Sequence, residues 1–304
     1  MNKLFIISLI ILLILLFSII INSLINNIFS HKNLQNIKGS HYVYIDGLRI
    51  NYVKKGHGEP LLLIHGLISS INIFQDLIDS LSKYNTVLAL DLIGFGLSEK
   101  GDNLNYNLKN MSELALKLME HESFHSFNVL GHSMGGEVAL NLAYYYPNHI
   151  NKLILVGSLG YLDIHATFPI TKSPSFILKF LLKIMIKNYY LAKLCFSFIF
   201  FNKKNFGTKI FDRVYTSILK NLSLETLYNF TLNYDSGKLC EKIKFISTNT
   251  LIVWGRNDIL VPLKYGQQLN KDIKNSKLII LDDCGHVPFV ERPEAFTTIM
   301  RKFL

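Results

Sequence analysis

Three residues far apart in this 304-residue chain carry the side chains that activate a hydroxyl. Ser133 lies in Gly131-His-Ser-Met-Gly135, after the apolar run Phe127 to Leu130 and before a helix-like stretch, Glu137 to Tyr146. A serine there occupies a sharp strand-to-helix bend, where the backbone closes on itself and tolerates only small neighbours. The helix behind it favours developing negative charge. A serine hydroxyl needs a base, and the base needs an orienter. Asp258 ends Gly255-Arg-Asn-Asp258, after the apolar run closing at Trp254, and His286 follows Gly285 after the run closing at Leu281. The chain order is therefore serine, acid, histidine.

Rival groups fit less well. Asp282 and Asp283 lie too near His286 in sequence to be the first choice of orienter. Asp258 has a plainer reading as a loop cap. His65 and His132 flank the site and read as scaffold, with the His132 ring pointing away from the Ser133 side chain. A tetrahedral oxyanion needs two preorganised N–H donors. The amide of Met134, directly after the nucleophile, is one. The amide of Leu67 in His65-Gly66-Leu67 is the other, with Gly66 allowing close backbone approach.

The elements that position these residues are short apolar runs alternating with helical stretches. Tyr42 to Ile45 and Arg49 to Val53 flank Asp46-Gly47, a hairpin signal. Leu61 to Ile64, Thr86 to Leu90, Phe127 to Leu130, Lys152 to Val156, Thr250 to Trp254 and Lys277 to Leu281 are nearly all apolar. Such runs predict a mostly parallel central sheet flanked by helices on both faces. Ligands bind beyond the carboxyl ends of such strands, and the residues singled out above all follow those ends. Between Leu159 and about Cys240 the alternation stops, and Phe, Leu, Ile and Lys dominate. That segment reads as an inserted helical cap. The predicted organisation is a membrane anchor at 1–30, a linker at 31–40, a core at 41–158, a cap at 159–242 and the rest of the core at 243–304.

Apolar residues make up 49% of the chain and charged residues 18%, which excludes a disordered protein. The net charge of +10 is uneven: between Ile164 and Phe211 there are eight lysines and no acidic residue. The basic character belongs to one segment, and no nucleic-acid module accompanies it, so no nucleic-acid partner is expected. The three cysteines match no metal or redox spacing and read as buried or incidental thiols. Leu4 to Ile21 is broken only by Ser8 and Ser18 and is long enough to span a bilayer core of about 30 Å. With no small-residue cleavage site after it, a retained single-pass transmembrane helix is favoured over a cleaved signal. Lys3 on one side and Lys32 and Lys38 on the other leave its orientation open.

Together, HGL at 65–67, DLIGFGLS at 91–98, GHSMGG at 131–136, WGRND at 254–258 and GHVPFVERPEAF at 285–296 resemble the α/β-hydrolase fold family, in its order and over residues 42 to 304. The resemblance implies the triad Ser133, Asp258 and His286 and the oxyanion amides of Leu67 and Met134. It also implies a structural loop at Asp91 to Ser98, and no metal or organic cofactor. The serine nucleophile separates the chain from epoxide hydrolases and haloalkane dehalogenases, which use an aspartate.

The fold does not fix the substrate. An anchored enzyme under an apolar cap suits a serine esterase or lipase-like hydrolase of hydrophobic acyl esters. The membrane contact would run through residues 4–29, and the cap's apolar residues and lysines could add a face on anionic lipid. The plainer reading of the cap is that its apolar side packs on the core while its lysines are solvated. Two other functions compete. A hydrolase acting on the C–C bond of ring-cleavage products would need cationic groups in the cap, where Arg213 is the only arginine. A hydrophobic-ligand receptor retaining the triad would bind without multiple turnover.

Overall fold

The computed structural model describes residues 22–28, 39–101, 103–161, 175–202, 208–234 and 238–304. The apolar run Leu4 to Ile21, expected to be the anchor, lies outside the described residues. Among those described, no helix is long and apolar enough to cross a membrane.

Eight strands form one sheet in the order β1-β2-β4-β3-β5-β6-β7-β8. β1 (Ser40–Ile45) and β2 (Leu48–Lys55) form the predicted antiparallel hairpin. Asp46 and Gly47 have φ of 51° and 78°, the left-handed pair that matches a two-residue turn to strand twist. β2 pairs antiparallel with β4 (Asn85–Leu90). From there β3 (Glu59–Ile64), β5 (Phe127–His132), β6 (Ile150–Val156), β7 (Asn249–Gly255) and β8 (Ser276–Leu281) run parallel.

The all-apolar strand runs follow from burial on both faces. Leu62 and Ile64 point into one core cluster and Leu61 and Leu63 into the other. Trp254 and Val253 divide the same way on β7. Residues 22–28 are helical and are labelled α1. Helix α2 (Gln75–Leu81) packs Leu77, Ile78 and Leu81 on one face of the sheet. Helices α3 (Leu108–His121) and α4 (Met134–Tyr145) cover the other.

Between β6 and β7 the described residues are helical: α5 (Ser175–Lys187), α6 (Tyr189–Ser197), α7 (Thr208–Asn221), α8 (Leu224–Asn233) and the short α9 (Leu239–Lys242). α10 (Leu263–Asp272) links β7 to β8, and α11 (Pro288–Glu291) and α12 (Pro293–Phe303) close the chain. Helix α1 docks on the inserted helices through its asparagines. The Asn22 and Asn26 side chains both donate to the carbonyl of Lys187, at 2.7 and 2.6 Å. Asn22 Oδ1 accepts from the Tyr189 amide, and Asn26 Oδ1 from the Tyr215 hydroxyl, both at 2.9 Å.

Candidate active site

Ser133 sits between the end of β5 and the start of α4 with φ 56° and ψ −122°. Positive φ is costly for a non-glycine residue and marks a conformation imposed by its surroundings. The neighbours explain how it is held. Ser133 N donates to Val156 O at 3.0 Å, and Ser133 O accepts from Gly136 N and Leu159 N at 2.9 and 3.1 Å. A Cβ on Gly131 would lie 2.3 Å from Gly135 O, and one on Gly135 would lie 2.3 Å from Ile64 O. Those glycines are the steric condition for the bend.

The loop after β3 passes close to this serine: a Cβ on Gly66 would lie 2.9 Å from Ser133 Cβ. Leu67 follows, lining the same cavity as Ser133. Met134 is the first residue of α4, where backbone N–H groups have no partner within the helix. Both predicted oxyanion residues thus adjoin Ser133.

Asp258 and His286 meet although 28 residues separate them. His286 Nδ1 lies 2.7 Å from Asp258 Oδ2, with both side chains buried. The other Asp258 oxygen accepts the amides of Leu260 and Val261 at 3.0 and 2.9 Å. Asp258 thus caps its own loop through one oxygen and meets His286 through the other. The rivals point to solvent: Asp282 pairs with Arg256, and Asp283 with Arg292 at 3.4 Å. Among the described residues, His286 Nε2 is buried with no hydrogen-bond partner, Ser133 Oγ included.

The backbone around His286 is held by groups the sequence reading did not assign. Its amide donates to Ile199 O at 2.7 Å. Glu291 Oε1 accepts the amides of Gly285 and Val287 at 2.9 and 3.5 Å, and its Oε2 accepts the amide of Phe201 at 2.8 Å. One buried carboxylate thus joins the loop carrying His286 to the chain leaving α6. Burial raises the Glu291 pKa, and the amides oppose that rise.

The flanking histidines also have defined work. His65 is fully buried. Its Nδ1 donates to Gly66 O at 2.8 Å, and its Nε2 accepts from Leu92 N at 3.1 Å. That pairing fixes the neutral tautomer, and burial lowers its pKa despite nearby Asp91. His132 Nε2 donates to His286 O at 3.0 Å, with the two ring centres 4.8 Å apart. Burial and then the His286 charge push the His132 pKa well below its ordinary value. Asp91 organises the loop implied by the resemblance, accepting from Ile71 N, Asn51 Nδ2 and Leu97 N.

Behind Ser133, Glu137 on α4 is buried, and burial raises its pKa to about 8. It accepts a hydrogen bond from Tyr234 Oη at 2.6 Å, just beyond α8. A cavity of about 310 Å³ opens over Ser133 and His286. Strand-end loops form its floor. Ile186, Ala192, Phe196, Phe211 and Ile218 of the inserted helices form much of its wall. No lysine or arginine is among the described lining residues. Arg213 instead turns outward to Gln75 and Asp76, at 2.7 and 3.0 Å.

The profile of the alpha/beta hydrolase fold family matches residues 59–191 and 187–293. A 2-hydroxymuconate semialdehyde hydrolase of Pseudomonas sp. (strain CF600) is 25% identical over 276 residues, covering 85% of this chain and 91% of that one. Lipase 3 of Moraxella sp. (strain TA144) is 27% identical over 276 residues, covering 86% and 80%. Among solved structures, a bacterial membrane phospholipase A superposes with a TM-score of 0.74 at 21% identity, covering 99% of this chain and 98% of the other.

Proposed function

The chain belongs to the alpha/beta hydrolase fold family, and within it we propose a serine esterase of apolar acyl esters, held at a membrane by its N-terminal segment. The observation that carries this reading is the cavity. Its wall is apolar, and Ser133 and the bare Nε2 of His286 are the reactive groups on its floor. Such a wall binds an acyl chain by removing apolar surface from water.

His286 Nε2 takes the Ser133 proton as Oγ attacks the ester carbonyl carbon. The Leu67 and Met134 amides hold the oxyanion, each worth about 3 kcal/mol of barrier. The C–O bond of the ester breaks, and the imidazolium protonates the departing alcohol. Water, deprotonated by His286, then hydrolyses the acyl-serine. Asp258 keeps Nδ1 as the donor and stabilises the imidazolium. The Ser133–His286 hydrogen bond forms when substrate fills the cavity, a tightening common between apo and complexed sites.

The Pseudomonas relative supports a second reading, hydrolysis of a C–C bond in a ring-cleavage product. That substrate is a carboxylate, and a buried carboxylate needs a cationic or multiply donating partner. The described lining residues include no lysine or arginine, and Arg213 is taken up by Asp76 and Gln75. The esterase reading fits better.

The test uses the full chain and its Ser133→Ala variant on p-nitrophenyl esters of increasing chain length. Multiple turnover in the parent, absent in the variant and best on medium or long chains, is the expected result. No turnover on any ester by folded protein would overturn the reading in favour of the C–C substrate or of a ligand receptor.

A further inference from the structure

Helix α1 is turned the wrong way round for a soluble surface. Its inward side carries Asn22 and Asn26, spent on Lys187 O, the Tyr189 amide and Tyr215, with Ile25 packed beside them. Its outward side carries Leu24 and Ile28, 59% and 63% exposed and one turn apart. A surface helix normally does the opposite.

Two of the three inserted helices it docks against, α5 and α6, repeat the pattern. On α5, Phe180 and Ile184 are exposed at a spacing of four. On α6, Tyr190 and Leu194 are exposed at the same spacing. Meanwhile Ile186, Ala192 and Phe196 face the cavity. These helices are therefore apolar on both sides: one side walls the cavity, and the other meets solvent. Apolar exposure repeated on three helices that dock on one another marks a surface that meets something.

Charge identifies the partner. No acidic residue occurs from Ile164 to Phe211, while Lys183 and Lys187 lie exposed on α5. Lys179 is paired with Glu225, but among the described residues Lys183 and Lys187 edge the apolar face with unneutralised positive charge, which matches an anionic lipid surface. The chain outside the described residues agrees: the eighteen-residue apolar run Leu4 to Ile21 directly precedes the docked helical residues 22–28. We propose that α1, α5 and α6 form one face that lies on anionic lipid, setting the cavity directly beneath the headgroups. The proposal extends the membrane-held part of the preceding function and rests on it. Its consequence is that acyl esters would reach the cavity from the bilayer rather than from bulk water.

The test exploits the single tryptophan, Trp254, which is fully buried and gives a constant background. Tyr190→Trp and Leu194→Trp place a reporter on the face. Phe245→Trp, exposed in the turn leading into β7 at the opposite end of the strands, is the control. Each is made in the full-length Ser133→Ala chain, so no lipid is consumed and the readout is independent of turnover. The chains are floated with phosphatidylcholine vesicles bearing brominated acyl chains, with and without phosphatidylglycerol.

The expected result is loss of fluorescence at positions 190 and 194, larger with phosphatidylglycerol, and none at 245. Lys183→Glu with Lys187→Glu should remove the gain from phosphatidylglycerol. Chains that float but show no quenching at 190 and 194 would overturn the lipid face while leaving the anchor and the esterase standing. Chains that do not float would overturn face and anchor together. Cross-linking of Leu194 to a second copy, without quenching, would assign the face to self-association instead.

Discussion

The backbone amide of His286 donates to the carbonyl of Ile199 at 2.7 Å, so the proposed catalytic base hangs from the inserted helices as well as from the sheet. Glu291 doubles the tie, bonding Gly285 and Val287 on one oxygen and Phe201 on the other. Any shift of the end of α6 is therefore felt at His286. The face proposed to meet lipid includes that helix, which gives membrane contact a short physical route to the base.

Replacing Glu291 tests that tie. Glu291→Gln keeps the volume but turns one acceptor into a donor facing backbone N–H groups. Unsatisfied buried amides cost about 1–3 kcal/mol each. Displacing a positioned base costs up to roughly 10²-fold in rate. The expected outcome is a folded enzyme with a large fall in kcat and little change in KM. A fall in melting temperature with kcat unchanged would reduce Glu291 to a structural residue.

Most of the sheet was legible because strands buried on both faces leave continuous apolar runs. The glycines and polar groups at their ends then marked the carboxyl edge. Ser133, Asp258 and His286 were legible because each follows such a run. Glu291 was not, because its partners are backbone amides of Gly285, Val287 and Phe201, and a backbone donor leaves no sequence signature. The inward side of His132 was hidden for the same reason: its partner is the carbonyl of His286. Nor did the lysine-rich insertion disclose which side of each helix faced out. Its helices α5 and α6 are apolar on two sides, so periodicity alone could not choose between them.

Strain at the bend yields a second prediction. Ser133 holds φ 56°, a conformation costing a non-glycine residue about 1–3 kcal/mol. Ser133→Gly relieves that strain but loosens the unfolded chain, which offsets part of the gain. Ser133→Ala removes the hydroxyl and keeps the strain. Both variants should lose esterase turnover by about 10⁴-fold or more. Ser133→Gly should unfold at higher denaturant concentration than Ser133→Ala. Equal midpoints would show that the bend stores no strain.

Glu137 predicts how stability depends on pH. Its folded pKa is raised to about 8 by burial, above the ordinary glutamate value. The folded state therefore holds a proton that the unfolded state releases between roughly pH 4.3 and 8. Stability from this group is fully present below that window and is lost as pH rises through it, at up to about 1.4 kcal/mol per pH unit. Glu137→Gln keeps an acceptor for Tyr234 and has no proton to lose. Urea midpoints of the parent should fall from pH 5 to pH 8 more steeply than those of the variant. Parallel curves would mean that Glu137 ionises in the folded protein as readily as in the unfolded one.

The apolar wall sets the last prediction. Ala192 is the smallest side chain on the stretch of α6 that lines the cavity, beside Cys195 and Phe196. Ala192→Phe would fill volume that an acyl chain otherwise occupies. Each methylene kept out of the apolar wall forfeits about 0.8 kcal/mol, roughly four-fold in kcat/KM. Short esters, which need only the floor residues Ser133 and His286, should be turned over as before. Long esters should lose progressively with each added carbon, moving the chain-length optimum down. A uniform loss at every length would instead indicate that the phenylalanine had displaced α6 and, through Ile199, the His286 loop.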